Sequence, residues 1–103
     1  MRIEWHPEAS AEFAVGLDWY DRRAVSAGDR FEADVLAAVR AVSDMPAAWP
    51  EWPGSDRGPI VRSKGVTDFP YRVVYVAGDD VLMILAVAHT KRIPGYWRHR
   101  VEE

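Results

Sequence analysis

The sequence has 103 residues, of which 49% are hydrophobic and 28% charged, so it can form a single domain over residues 1–103 but not two separate cores. Thirteen Lys and Arg residues against sixteen Asp and Glu residues give a net charge of −3, which argues against a surface that attracts nucleic acid or anionic membrane as a whole. The sequence contains no cysteine, which excludes a disulfide framework, a thiolate zinc site and a cysteine nucleophile.

A short strand and a helix are predicted at the N-terminus. Residues 2–6 alternate between apolar and polar side chains, which is the period of a half-buried strand, and Pro7 ends that strand. Proline also suits the first turn of the helix that follows, which is expected to end near residues 21–23. The apolar face of this helix has residues at i, i+4 and i+7: Phe13, Leu17 and Tyr20. The acidic residues assigned mainly to the opposite face are Glu12, Asp18 and Asp21.

A second helix is predicted to begin after Ser26, because Ser26 followed by Asp29 resembles a capping box. Its apolar residues at helical spacing are Phe31, Val35, Ala38, Val42 and Met45. The two helices together form a hairpin. Residues 46–59 are rich in proline and glycine and are predicted to be a long connection without regular structure, in which Trp49 and Trp52 pack back over the helices.

Three strands are predicted in the second half of the chain, over residues 60–63, 71–77 and 81–89. Residues 78–80 form a hairpin turn between the last two strands. Every position from 81 to 88 is apolar, so the last strand is placed at the centre of the sheet with both faces covered. Pro94 and Gly95 break the strand pattern, and residues 96–101 are expected to form one or two helical turns.

The β-α-α-β-β-β order predicts an α+β domain. A helical hairpin covers one face of a small, mostly antiparallel four-stranded sheet. The other face cannot stay bare, and the C-terminal segment or a partner chain is expected to cover it.

Charge is divided unevenly along the chain. Residues 1–58 carry six basic and eleven acidic side chains (−5), whereas residues 59–103 carry seven and five (+2). Four of those five acids lie in the predicted turn or at the C-terminus: Asp79, Asp80, Glu102 and Glu103. The basic residues with few local counter-charges are Arg62, Lys64, Arg72, Lys91, Arg92, Arg98 and Arg100. An anion-binding surface is therefore expected in the second half.

Several known classes of site are missing from the sequence. The three histidines, His6, His89 and His99, do not form a zinc-binding spacing, and neither a Gly-rich phosphate loop nor a GxSxG motif occurs. We therefore expect no metal and no cofactor. The N-terminus lacks the apolar core of a signal peptide, and residues 81–88 are too few to cross a bilayer, so a cytoplasmic protein without a membrane partner is expected.

Residues 69–72 and 89–100 hold most of the chemically versatile side chains. They place imidazole, guanidinium, ammonium, phenol and indole groups near the end of the predicted central strand. Such groups bind phosphate, stack on bases and transfer protons, and they also suit an acidic partner helix. Structural alternatives remain open at this point: Arg72 as an ion-pair partner, His89 as a hydrogen-bonded core histidine and Trp97 as a packing residue.

The chain resembles the RelE/ParE toxin superfamily over nearly its whole length, and most closely its ParE-like branch of plasmid stabilisation proteins. The resemblance rests on the element order together with Trp19-Tyr20, Gly28-Asp-Arg-Phe31, Phe69-Pro-Tyr71, Val87-Ala-His89 and Arg92-x-Pro94-x-Tyr96-Trp97. It implies a toxin of a type II toxin–antitoxin module that a cognate small antitoxin of the ParD, RelB or Phd kind neutralises. Operator DNA would be bound only through the antitoxin.

The resemblance implies two targets. ParE-type members poison DNA gyrase, whereas others are ribosome-dependent mRNA endonucleases. Gyrase is preferred here, because a net-negative protein is at an electrostatic disadvantage on the ribosome. A third interpretation is a non-toxic module that binds the antitoxin and acts as co-repressor.

The resemblance also implies residue roles. For mRNA cleavage, which would need no metal, His89 or Tyr96 is the general base for the 2′-hydroxyl, Arg92 is the acid or stabilises the leaving group, and Arg62 and Arg72 bind the phosphate. The surface for the target or the antitoxin is assigned to Lys64, Arg72, His89, Lys91, Arg92, Tyr96, Trp97 and Arg100. If Trp97 is an interface hot spot, Trp97→Ala abolishes toxicity.

Overall fold

The elements follow one another in the predicted order in the computed structural model. It describes residues 1–53 and 58–102, so Gly54 of the predicted connection and the terminal Glu103 lie outside the described residues. The strands are β1 (Arg2–Trp5), β2 (Val61–Gly65), β3 (Tyr71–Ala77) and β4 (Val81–His89), and the helices are α1 (Pro7–Asp21) and α2 (Ala27–Asp44). A 3-10 helix over Arg98–Glu102 begins two residues later than the predicted turn.

The four strands form one sheet in the order β1-β4-β3-β2. β1 pairs with β4 in parallel, whereas the β4–β3 and β3–β2 pairs are antiparallel. The predicted α+β class, the mostly antiparallel sheet and the central position of the last strand are therefore confirmed. Among the described residues, neither helix combines the length and the apolar character that a membrane span requires.

The helical hairpin packs on one face of the sheet. Phe31, Val35 and Val42 of α2 are fully buried there against β3 and β4. Residues Phe13, Leu17 and Tyr20 of α1 pack on the same cluster, as predicted. Met45 does not, because α2 ends at Asp44 and the Met45 side chain is exposed.

The predicted capping box at the start of α2 is wrong. Ser26 has a left-handed backbone (φ 63°), and its side chain makes no capping hydrogen bond. A capping serine needs an extended backbone to turn its hydroxyl toward the first amides of the helix. Gly28 lies against the carboxylate of Asp21 at the end of α1, so a side chain at this position would require the Asp21 side chain to move.

The C-terminal segment covers the second face of the sheet. Trp97 is only 2% exposed and packs with Val61, Val74 and Leu85. Trp52 lies edge-on against Trp97, with ring centroids 5.2 Å apart. The sequence predicted that either the C-terminal segment or a partner chain covers this face, and the C-terminal segment does so.

The two tryptophans of the connection lie on opposite faces of the sheet. Trp49 packs on the helix side and its indole N–H donates to the Ala41 carbonyl (3.4 Å), as predicted. The prediction for Trp52 is wrong, because Trp52 packs on the far side. The reason is local strand pairing: Glu51 bridges to Arg62 of β2, and residues three apart in an extended chain point to opposite faces. The connection is thus less irregular than expected.

Candidate functional site

β4 has an open edge beyond Ile84, where its pairing with β1 ends. Leu85 is an extra residue relative to β3, since Val74 pairs with Ala86 and Tyr75 pairs with Ile84. Such a bulge bends the strand and interrupts its ladder. Buried backbone N–H and C=O groups of β4 beyond Ile84 therefore need hydrogen-bond partners from elsewhere in the chain.

Glu12 and Arg100 supply these partners. The Val87 amide donates to Glu12 Oε1 (3.1 Å), and Arg100 Nη1 donates to the Leu85 carbonyl (2.9 Å). The two side chains also form a bidentate pair, in which Arg100 Nη1 and Nη2 each lie 3.0 Å from an oxygen of Glu12. The Tyr96 hydroxyl donates to Glu12 Oε2 (2.6 Å). Glu12 therefore fastens the C-terminal segment to both α1 and β4.

The assignment of Glu12 to the solvent face of α1 is wrong. Its side chain is largely buried, beside the sheet edge that the short β1 leaves open. The helical pattern of α1 carries no signal for this role, because the partner Arg100 lies 88 residues away.

This network fixes the charge states of its members. Burial, the hydrogen bond to Glu12 and the charge of Glu12 raise the pKa of Tyr96, and the nearby guanidinium groups offset this only in part. Burial alone would lower the pKa of Arg100, but its hydrogen bonds and attraction to Glu12 raise the pKa overall. At neutral pH, Tyr96 is therefore a neutral hydrogen-bond donor and Arg100 a cation.

The ionisation of the tyrosines can be followed directly. Burial is the leading cause of a raised pKa at Tyr20, Tyr71, Tyr75 and Tyr96 alike. An ordinary phenol titrates near pH 10, so we expect no tyrosinate absorbance from the folded protein below about pH 10. A raised folded-state pKa stabilises the fold below the unfolded value, and this contribution is lost as the pH rises through the folded value. A tyrosinate signal below that pH that disappears in Tyr96→Phe would contradict this account of Tyr96.

A pocket of about 210 Å³ opens where β4 ends; we call it the C-terminal pocket. It brings together four of the residues to which the family resemblance assigns catalytic roles. These are Arg72, His89, Arg92 and Tyr96. Trp97 also lines the pocket, and Trp52 and Ile93 contribute apolar wall.

Arg72 is held in a fixed orientation inside this pocket. Its Nε donates to Ser63 Oγ (3.0 Å) and its Nη2 donates to the Ser63 carbonyl (3.2 Å). Within residues 1–53 and 58–102, no carboxylate lies within 4 Å of this guanidinium, so the ion-pair alternative for Arg72 has no support there. An oriented guanidinium of this kind is suited to a phosphate or a carboxylate.

Arg92 and His89 lie at the rim. The Arg92 guanidinium stacks on the Tyr96 ring at 3.9 Å and lies 4.0 Å from Glu12, with about half of its side chain exposed. His89 Nδ1 accepts the Lys91 amide (3.0 Å), and its ring lies edge-on to Tyr71. In the neutral imidazole the proton is then on Nε2.

The remaining candidates lie outside the pocket or beneath its surface. Arg62 donates to the Trp49 carbonyl (2.8 Å), and Lys64 lies over the Trp49 ring at 4.6 Å. Lys91 is exposed on the turn after β4. Arg100 is buried in its pair with Glu12 and is not exposed to an external partner.

Comparison with known proteins gives the family. The family described as ParE toxin of type II toxin–antitoxin system, parDE, matches residues 3–94. That range holds both helices, the four strands except the first residue of β1, and the part of the pocket formed by Arg72, His89 and Arg92. The chain belongs to the ParE toxin family. Tyr96, Trp97 and Arg100 lie just beyond the matched residues.

A solved structure has the same fold as this ParE-family chain. It is described as the chromosomal ParDE TA system from P. aeruginosa, with 16% sequence identity and a TM-score of 0.67. The match covers 88% of this chain and 97% of that chain. No curated protein matches the sequence. The RelE/ParE resemblance and the ParE-like branch are confirmed, and a ParE toxin of a ParDE system has an antitoxin as its partner.

Proposed function

We propose that this ParE-family toxin acts in the cytoplasm, arrests growth by inhibiting DNA gyrase and is neutralised by a cognate small antitoxin. The observation that carries the proposal is the ParE family match over residues 3–94. The geometry supports the proposal, because the end of β4 forms a compact surface that a partner protein can contact. Inhibition by binding needs only such a surface and no catalytic set.

The proposed contact surface is the turn after β4 together with the C-terminal pocket. Lys91, Arg92 and Ile93 are exposed on this turn, and Ile93 is one of the most exposed large apolar residues of the described chain. Arg72 is held in the pocket beside them. An apolar side chain flanked by cations is a common composition for an interface centre and its rim. Beneath this surface, Trp97 and Arg100 hold the segment in place.

The shape of the turn depends on Gly95. Its backbone is left-handed (φ 82°), and a Cβ would come within 2.9 Å of Arg98 Nε. A side chain here would therefore be strained by the left-handed backbone, whereas the flexible Arg98 side chain can move aside. The Tyr96 amide also donates a hydrogen bond to the Ile93 carbonyl (3.1 Å), which helps to fix the conformation of this turn.

The general-base roles expected for mRNA cleavage fit this site poorly. The Tyr96 hydroxyl donates a hydrogen bond to Glu12 and its pKa is raised, so it keeps its proton and is not a base near neutral pH. His89 Nδ1 is occupied by the Lys91 amide. Arg62, one of the two arginines assigned to the phosphate, points to the Trp49 carbonyl.

One observation favours mRNA cleavage as a second candidate. The C-terminal pocket does gather Arg72, His89, Arg92 and Tyr96, which are four of the five residues assigned to that chemistry. If the chain is a ribonuclease, its induction will produce mRNA ends at fixed codon positions. The two candidates therefore differ in a product that can be sequenced.

Growth on induction tests the proposal. The chain is induced alone, and then together with the product of the neighbouring small open reading frame, while growth, DNA breaks and mRNA ends are followed. We expect arrest with DNA breaks and an SOS response, relieved by the neighbour. Arrest with phased mRNA ends would favour the second candidate. Continued growth would support the third interpretation, a non-toxic co-repressor.

A double variant tests the contact surface. Arg92→Gln with Ile93→Asp removes one cation and the apolar centre, so binding to purified gyrase is expected to weaken about 30-fold or more, the effect of losing one hot spot. Arg40→Gln, at an exposed position of α2, is the matched control and keeps wild-type binding. Unchanged gyrase binding by the double variant would remove this surface from the proposal.

A further inference from the structure

The two outer strands of the sheet, β2 and β1, differ in how their outer edges are covered. Beside β2 runs the connection that follows α2: the Trp52 amide donates to the Val61 carbonyl (2.7 Å), and the Ser63 amide donates to the Pro50 carbonyl (3.1 Å). Among residues 1–53 and 58–102, no segment pairs with the outer edge of β1. An uncovered edge strand is a template on which another strand can pair.

The backbone of β1 points alternately toward β4 and away from it. The Arg2 and His6 amides donate to backbone carbonyls on the side of β4, both at 2.8 Å. Residues an even number of positions apart in a strand direct their backbone groups to the same side. The N–H and C=O groups of Ile3 and Trp5 therefore face outward, at the uncovered edge.

The side chains of β1 divide into an apolar face and a charged face. Trp5 packs on the core beneath the helices, and Ile3 lies on the same face of the strand with 37% of its surface exposed. Met1, just before the strand, is 56% exposed. On the opposite face, Arg2 and Glu4 form an exposed ion pair at 2.9 Å. The edge thus carries one basic and one acidic residue on either side of an exposed isoleucine.

We infer that a second copy of this chain pairs with β1, antiparallel and about a two-fold axis at Ile3. In this register Ile3 lies opposite the partner's Ile3, and their outward N–H and C=O groups form two hydrogen bonds. Arg2 lies opposite the partner's Glu4, and Glu4 lies opposite the partner's Arg2. Both flanking pairs therefore join opposite charges, which stabilises paired strands. The edge is self-complementary, as a two-fold interface requires.

Charge also selects this register over its neighbour. If the two-fold axis passed through Glu4 instead, the two Glu4 carboxylates would lie directly opposite each other. Such a pair of like charges destabilises strand pairing. An axis at Ile3 avoids this repulsion and places the two exposed isoleucine side chains together.

The dimer leaves the proposed target contact free. Its sheet is continuous over eight strands, and both helical hairpins lie on the same face because both Ile3 side chains do. β1 pairs with β4 only as far as Ile84, whereas the C-terminal pocket lies beyond that point, at the end of β4. Each copy therefore keeps its own pocket, whichever target binds there.

The strength of self-association can be measured on the wild-type chain. Stable interfaces bury about 1,200–2,000 Å², and four residues from each copy form a smaller one, so we expect a dissociation constant on the order of 10 μM. Sedimentation equilibrium from about 1 to about 300 μM spans this value. Amide exchange at Ile3 and Trp5 is expected to slow as the dimer forms, whereas exchange at His6, already bonded within the sheet, does not change.

Charge reversal in separate copies is the sharpest test. Glu4→Arg makes both flanking pairs Arg–Arg and Arg2→Glu makes both Glu–Glu, so each variant alone is expected to dimerise about tenfold more weakly. An equimolar mixture joins opposite charges again, because each flanking pair takes one residue from each variant. We expect heterodimers of wild-type affinity. This rescue is specific to the interface, since both variants lack the Arg2–Glu4 pair within the chain.

Arg40→Glu is the matched control, because it reverses one charge at an exposed position of α2. It is expected to dimerise like the wild type. Circular dichroism establishes that each variant is folded, and amide exchange of the wild type tests the inference without any substitution.

Three results would overturn the inference. A wild-type chain that stays monomeric at about 300 μM does not self-associate through this edge. A dimer that neither charge reversal weakens, or that the mixture of variants does not restore, is formed by another surface. A monomeric chain whose antitoxin binding is weakened by Glu4→Arg has the antitoxin as the occupant of the edge. None of these results alters the proposed target, which is tested by DNA breaks and mRNA ends.

Discussion

Replacement of Glu12 by alanine is expected to lower the free energy of unfolding by about 3–5 kcal/mol, which is typical when one partner of a buried ion pair is removed. Arg100 would keep its buried charge without the bidentate carboxylate, and the Val87 amide and the Tyr96 hydroxyl would each lose an acceptor. Glu12→Gln is expected to cost less, since its amide oxygen can still accept from one of these donors.

Denaturant unfolding of the variants measures this effect. In a domain of this size each kcal/mol shifts the Tm by about 4–8 °C, so the loss is also visible in a thermal melt. The control is Asp18→Ala, which removes the exposed α1 pair with Arg22 (2.9 Å). Exposed pairs contribute about 0–1 kcal/mol. Equal stability of Glu12→Ala and Asp18→Ala would contradict the role assigned to Glu12.

Trp97→Ala is expected to have an equally large effect on the fold. Trp97 is the largest fully buried side chain of the second core, and Trp→Ala substitutions in cores cost about 3–5 kcal/mol. Loss of toxicity in this variant would then follow from loss of folded protein rather than from loss of a surface contact. Trp97→Phe keeps much of the packing and is expected to be intermediate in stability.

Comparison with Trp19→Ala separates the effect of burial on stability from the effect of removing any tryptophan. Trp19 is only half-buried, so its removal is expected to cost far less stability than removal of Trp97. Denaturation curves and soluble yield are the measurements. A Trp97→Ala protein that is as stable as Trp19→Ala, and yet not toxic, would return Trp97 to the contact surface as a hot spot.

Local sequence patterns were sufficient to predict the order and the approximate ends of most helices and strands. The i, i+4, i+7 spacing of Phe13, Leu17 and Tyr20 and the apolar run of β4 are both set by near neighbours in the chain. The features that were predicted wrongly depend on residues that are distant in the chain. The burial of Glu12 requires Arg100, and the position of Trp52 requires pairing of its neighbour Glu51 with Arg62.

The candidate site was predictable to a similar degree. Arg72, His89 and Arg92 were expected together near the end of the central strand. The structure gives the reason, because β3 and β4 pair antiparallel and residue 72 lies opposite residue 88. The exposure of two large apolar side chains on α1, Val15 and Trp19, was not foreseen. A signal was available: Val15 and Trp19 lie off the stripe that buries Phe13 and Leu17, and two large apolar residues on the outer face of an amphipathic helix indicate a partner.

The proposed target contact lies at the end of β4, where His89 and Arg92 line both the C-terminal pocket and a cavity beside α1. Glu12 lines this cavity and also fastens the segment that holds Tyr96 and Arg100. Its first effect is on stability, and the proposed target contact depends on the segment that it holds.

The most direct test of the central claim uses purified gyrase and supercoiled DNA. The purified chain is added alone and then after incubation with the antitoxin, and DNA that gyrase has cleaved but not resealed is quantified. Our account predicts that the chain makes this cleaved DNA accumulate, that the antitoxin prevents the accumulation, and that Arg92→Gln with Ile93→Asp reduces it. Unaffected gyrase, together with codon-phased mRNA cleavage by the same preparation in a translating ribosome mixture, would contradict the account and identify an endoribonuclease.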